Sequence, residues 1–135
     1  MQKLIYGIQQ IGIGVEDAAA AFVWYAKKLG ADVVVFDDSN TATYMAPYMG
    51  GKARKKRALL AMNLNGGSGY EIWQYEERKP KAPEKPLEIG DYGINIAQIK
   101  ARDIQEAYRH AQQVGIKCLT EIYEAPDQVG AFLIE

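Results

Sequence analysis

The sequence holds one cysteine and one histidine among 135 residues. A lone cysteine, Cys118, excludes an internal disulfide and fits a reducing compartment, so a cytoplasmic protein is expected. A lone histidine, His110, leaves no histidine triad for a metal and no ready partner for a nucleophile. It lies off the apolar stripe of its helix and is expected to face solvent. No apolar run approaches the roughly 20 residues that span a bilayer. The first residues lack the basic start, apolar stretch and small-residue cleavage site of a secretory signal. Charge of neither sign is in excess: the net charge is -1. That gives no case for nucleic acid or a membrane surface as partner. Proline is scarce, and three of its five occurrences fall within residues 76–91.

Hydrophobic residues make up 48% and charged residues 24%, the balance of an ordinary globular domain. Near the start the chain reads YGIQQIGIGVED. Ile11, Ile13 and Val15 alternate, as on a half-buried strand. Gln10 is in phase with Gly12 and Gly14 on the opposite face. Glycines there leave room for something, and a long amide beside them could hold it.

The chain is written twice. Residues 11–30, IGIGVEDAAAAFVWYAKKLG, and residues 97–115, AQIKARDIQEAYRHAQQVG, both run strand, Asp, amphipathic helix, Gly. Asp17 and Asp103 suit the N-cap, and Glu106 suits the second half of a capping box. Phe22, Tyr25, Ala26 and Leu29 form one apolar stripe, and Ile104, Ala107, Tyr108, Ala111 and Val114 form another. Gly30 and Gly115 suit the left-handed position that ends a helix. After the first helix, ADVVVF (31–36), RALLAMNL (57–64) and YEIWQY (70–75) read as strands, with NGGSG (65–69) as a turn. Residues 1–75 are thus a βαβββ unit, and 76–91 an extended, solvated linker. Residues 92–135 start a second unit, with strands at 117–124 and 131–135, and one strand is missing. Together the units form one domain.

A tandem βαβββ repeat resembles the vicinal oxygen chelate superfamily, which includes glyoxalase I, methylmalonyl-CoA epimerase, extradiol dioxygenases and the bleomycin resistance proteins. IGIGVEDAAAAFVWYAKKLG is similar to that family's first strand and helix. The resemblance implies an α+β fold, a curled mixed sheet with helices outside and a cleft on its concave face. It also implies metal ligands on the first and last strands of each unit. Carried over, these positions fall at Gln10 and at Glu71 of YEIWQY. In the second unit the first position falls at Ile96, which cannot bind a metal, with Asn95 and Gln98 as neighbouring amides, weak ligands for a divalent ion. The last position would lie on the missing strand.

Two functions from different classes follow. One is a small-molecule binder degenerate in metal ligands, its apolar or aromatic ligand held by Gln10, Trp73, Tyr75 and Gln98. The other is a lyase, isomerase or dioxygenase with one divalent metal (Zn, Ni, Co, Mn or Fe) on Gln10 and Glu71, polarising an oxygen beside a carbonyl. There Glu71 would be catalytic. A third possibility is one domain of a longer multi-unit protein. Residues 38–57 read as a long loop, either a lid carrying Tyr44, Met45, Tyr48 and Met49 with a basic cluster for an anion, or a solvated tip. Cys118 reads as a small buried hydrophobe. A homodimer is expected, since a sheet short of a strand leaves an edge to pair and RALLAMNL and YEIWQY offer anchors.

Overall fold

The computed structural model describes residues 7–66, 68–85, 87–88, 90–94, 96–126 and 129–135. The chain divides into two compact units, Met1–Ala82 and Pro83–Glu135.

The first unit is a curled, unclosed four-stranded sheet with one α-helix on one face. β1 (Gln10–Gly14) leads to α1 (Ala18–Leu29), then β2 (Val33–Thr41), a 3-10 helix (Thr43–Met49), β3 (Lys55–Asn63) and β4 (Ser68–Tyr75). The spatial order is β1-β4-β3-β2. β1 is parallel to β4, and the other pairs are antiparallel.

Helix α1 begins where Asp17 leaves the extended region and its carboxylate accepts the N–H groups of Ala19 and Ala20. It ends at Gly30, whose φ of 67° is the left-handed cap. Two amides from the sheet bind its ends. The Gln74 side-chain oxygen accepts the N–H of Ala18, and Asn63 donates to the carbonyl of Leu29. Between these anchors lies the core: Ala18, Ala31, Leu59, Ala61 and Ile72, with Val15, Phe22, Tyr25 and Tyr70 packed against it. The rings of Tyr25 and Tyr70 stack at 4.5 Å. Burial raises both phenols, and each Tyr70 proton is further retained by Tyr25.

The sequence reading stops the second strand at residue 36, but β2 runs on through Asp37, Asp38, Ser39 and Asn40 to Thr41. β3 supplies a ladder partner for each. Arg57 grips Asp37 with two nitrogens at 2.8 and 2.6 Å, which a hydropathy pattern does not reveal. The expected loop 38–57 therefore shrinks to residues 42–54. Lys55, Lys56 and Arg57 belong to a strand, not to a loop's basic cluster. Leu59 and Leu60 are buried within the chain, so RALLAMNL does not offer them to a second copy. On the strands of the sheet the exposed large apolar residues are instead Val34, Val35 and Phe36 of the outer strand β2, with a bulge between Val34 and Phe36.

The Asp37–Arg57 pair carries a pH signature. Hydrogen bonds from Arg57 hold the Asp37 carboxyl below its ordinary value. A lowered folded-state value stabilises the fold above the unfolded value of about 3.9 and loses that contribution as pH falls through the folded value. Both side chains are about a third exposed (33% and 38%), so the contribution is about 0.2–1 kcal/mol. Urea unfolding at pH 7 and pH 2.5 is expected to show Asp37→Asn losing up to that much relative to wild type at pH 7 and less at pH 2.5.

The second unit contains α2 (Ile104–Gln113), β5 (Tyr123–Glu124) and β6 (Gly130–Ala131). Its helix repeats the local chemistry of the first. Asp103 accepts the N–H groups of Gln105 and Glu106, and Gly115 takes φ 69°. Tyr108 meets Phe132 edge-on at 5.1 Å. The C-terminal strands expected at 117–124 and 131–135 pair antiparallel, in a two-residue ladder and a separate bridge between Cys118 and Ile134. Cys118 is half-buried rather than buried. The described residues from 96 to 103 form no strand and are exposed, although their apolar pattern suits one. His110 is exposed on α2. Among the described residues no helix is long and apolar enough to cross a membrane.

Candidate functional site

The parallel register of β1 and β4 builds the site. Gly12 lies beside Glu71 and Gly14 beside Trp73. Alternation then puts Gln10, Gly12, Gly14, Glu71, Trp73 and Tyr75 on the face opposite α1, while Ile72 and Gln74 point to the helix. Val15 donates its N–H to the Trp73 carbonyl at 2.8 Å and continues the ladder past Gly14.

On that face the Gln10 side-chain nitrogen donates to the Glu71 carboxylate at 2.6 Å. Both residues are half-buried. The partnership satisfies two polar groups that would otherwise face an apolar strand surface unpaired. The indole of Trp73 lies over Gly12: a Cβ there would sit 3.7 Å from its Nε1. The Lys56 ammonium stands 4.2 Å from the indole centroid, within cation–π range. Around Gly14 the space is open, with nothing within 4 Å of where a Cβ would be. That space is a hollow of about 230 Å³ lined by Gly14, Met49, Trp73, Tyr75, Arg78 and Lys81, among others. The glycines of the first strand thus leave room for an indole at Gly12 and for a hollow at Gly14.

The structure brings together Gln10, Glu71, Trp73 and Tyr75, and it separates the rest of the expected set. Tyr44 and Tyr48 are 95% and 81% exposed on the 3-10 helix. Of the expected lid only Met49 lines the hollow. Gln98 is exposed and outside any strand, as is Ile96, and Asn95 lies outside the described residues. Reading 76–91 as a solvated linker misses Arg78 and Lys81. Lys79 between them reaches the Glu16 carboxylate at 2.7 Å, which ties this segment to the end of β1. The one available sign was the cluster Arg78, Lys79 and Lys81 within six residues of an aromatic strand end.

The donor set does not fit a divalent metal. Protein sites for such ions use several carboxylate, imidazole or thiolate ligands. Among the described residues no three His, Cys, Asp or Glu side chains converge. Gln10 and Glu71 face each other through an amide N–H.

The sequence matches the profile of the Glyoxalase/Bleomycin resistance protein/Dioxygenase superfamily over residues 7–134. The chain belongs to that superfamily. A glyoxalase family protein from Bacillus cereus is similar in structure, with a TM-score of 0.74 at 12% identity, over 98% of this chain and 88% of that one. A superfamily member from Sphaerobacter thermophilus has a TM-score of 0.56 at 20% identity, over 98% of this chain and 90% of that one. At such identities these likenesses speak for the fold alone. No curated protein matches the sequence.

Proposed function

We propose that this superfamily member is a metal-independent binder of a small apolar or aromatic molecule, held against Trp73 and Tyr75. The observation that carries this is the hollow at Gly14: an aromatic wall, half-buried, over a strand stripped of side chains. Such a surface gains from covering apolar area and from ring stacking. The Gln10–Glu71 pair beside it supplies a carboxylate oxygen and an amide oxygen to orient a polar substituent. The rival reading, a divalent-metal lyase, isomerase or dioxygenase, draws on Glu71 but lacks further anionic ligands beside it.

The test uses a neutral probe, 2-naphthamide, in a Trp24→Phe background where Trp73 is the single indole. Saturable quenching of Trp73 is expected, unchanged after dialysis against a chelator. Calorimetry on Trp73→Leu is expected to show at least about tenfold weaker binding, since stacking and cover of about 1.4 kcal/mol are lost. Binding that disappears with the chelator and returns with Zn, Ni, Co, Mn or Fe would reject the proposal in favour of the metal enzyme.

A further inference from the structure

We infer that the Trp73 hollow selects a planar aromatic carboxylate, its ring against Trp73 and Tyr75 and its carboxylate at Arg78 and Lys81. This rests on the aromatic-binding reading above and narrows it to one charge class.

Size is the first argument. A hollow of about 230 Å³ is below the roughly 300–1,000 Å³ of pockets for drug-sized molecules, so it suits one or two fused rings. Its walls are Met49, Trp73 and Tyr75, and its floor at Gly14 carries no side chain, so a flat ring can lie close to the backbone.

Charge is the second. Every ionisable group lining the hollow other than the Tyr75 phenol is cationic: Arg78, Lys79 and Lys81. Lys79 is matched by Glu16. Among the described residues Arg78 and Lys81 have no carboxylate within ion-pair distance. The acids directly before Arg78, Glu76 and Glu77, form no ion pair with either cation and do not line the hollow; Glu76 lines a separate one with Ser39, Asn40 and Lys55. Glu71, on the strand, accepts from Gln10. Lys56 adds a further positive charge over the indole. The whole chain carries a net charge of -1, so this concentration of cations is local to the hollow. A guanidinium fork beside an apolar slot is the geometry that takes a carboxylate in two parallel hydrogen bonds.

Three ligands of one shape separate the possibilities: 2-naphthoate, 2-naphthamide and 2-naphthylmethylammonium, titrated against the Trp24→Phe protein. The naphthoate is expected to bind about tenfold tighter than the amide, as for a charge-assisted hydrogen bond, and the ammonium more weakly than either. The gap should narrow in 0.5 M NaCl. Arg78 and Lys81 are exposed, so the variant Arg78→Gln/Lys81→Gln should fold. It should bring naphthoate to within about twofold of the amide. Equal binding of naphthoate and amide by the wild type, or a preference that survives in the double variant, would overturn the charge selectivity while leaving an aromatic cleft standing. Failure of all three ligands to quench Trp73 at millimolar concentration would overturn both.

Discussion

Gly14→Leu is expected to weaken aromatic-ligand binding at the Trp73 hollow by more than about tenfold while leaving the protein as stable as wild type or slightly more stable. Most glycine substitutions damage a fold because the backbone needs a positive φ or because a Cβ meets its neighbours. Neither applies here. Gly14 lies within regular strand β1, is not among the positive-φ glycines, and has nothing within 4 Å of its Cβ position. Removing a strand glycine restricts the unfolded chain and contributes about 0.4–1 kcal/mol to stability. The leucine has one place to go, into the hollow that Gly14 floors, beside Trp73 and Tyr75. A ligand must then displace a branched side chain or lose its contact with the indole, and a fall in affinity of more than about tenfold follows. Calorimetric titration with naphthoate, run beside urea unfolding of the same sample, measures both effects. Unchanged affinity in a stable Gly14→Leu protein would place the ligand elsewhere. Gly69 is the contrasting case: a Cβ there would lie 2.7 Å from the Ala61 carbonyl oxygen, in the fixed ladder of β3 and β4.

The largest effect on stability is expected from Ile72→Ala, at about 3–5 kcal/mol, in the upper part of the range for such truncations. Ile72 is fully buried, at 0% exposure, and is the largest side chain so enclosed among the described residues. It stands in the centre of β4 with strands on both sides, so the sheet cannot close on a cavity. The helix above cannot settle either. Ala18 at its start is held by Gln74, and Leu29 at its end by Asn63. The neighbours Ala18, Ala31 and Ala61 are too short to turn into the void. Against a typical total of about 5–15 kcal/mol, the loss is a large share of the fold. Urea denaturation should show a lower midpoint at an unchanged slope, and Ile72→Val should cost only about 1 kcal/mol. A loss below about 2 kcal/mol for Ile72→Ala would mean that helix α1 is free to move down onto the sheet.

Much of this architecture was legible in the sequence because its causes are local. Asp17 and Asp103 cap helices by accepting N–H groups two and three residues ahead, and Gly30 and Gly115 end them by adopting φ values that side chains disfavour. Period-two alternation separated Gln10, Glu71, Trp73 and Tyr75 from Ile11, Ile72 and Gln74 without knowledge of any partner strand. The superfamily followed from the repetition of these signals, and the profile match over residues 7–134 agrees with it. What depends on pairing was decided by the tertiary structure alone. β2 continues through polar residues because β3 offers ladder partners and Arg57 meets Asp37 across the pair. Residues 96–102 have a strand's pattern and form none, since alternation favours a strand but only a hydrogen-bonded neighbour makes one. The hollow is the clearest case. Gly14 lies far in the sequence from Trp73 and Arg78, and no local rule joins it to them. They meet because β1 lies parallel to β4 in one register and the segment after β4 runs back beside the strand, where Lys79 contacts Glu16. Period and capping are properties of neighbouring residues in the chain, whereas a pocket is a property of which strands become neighbours in space.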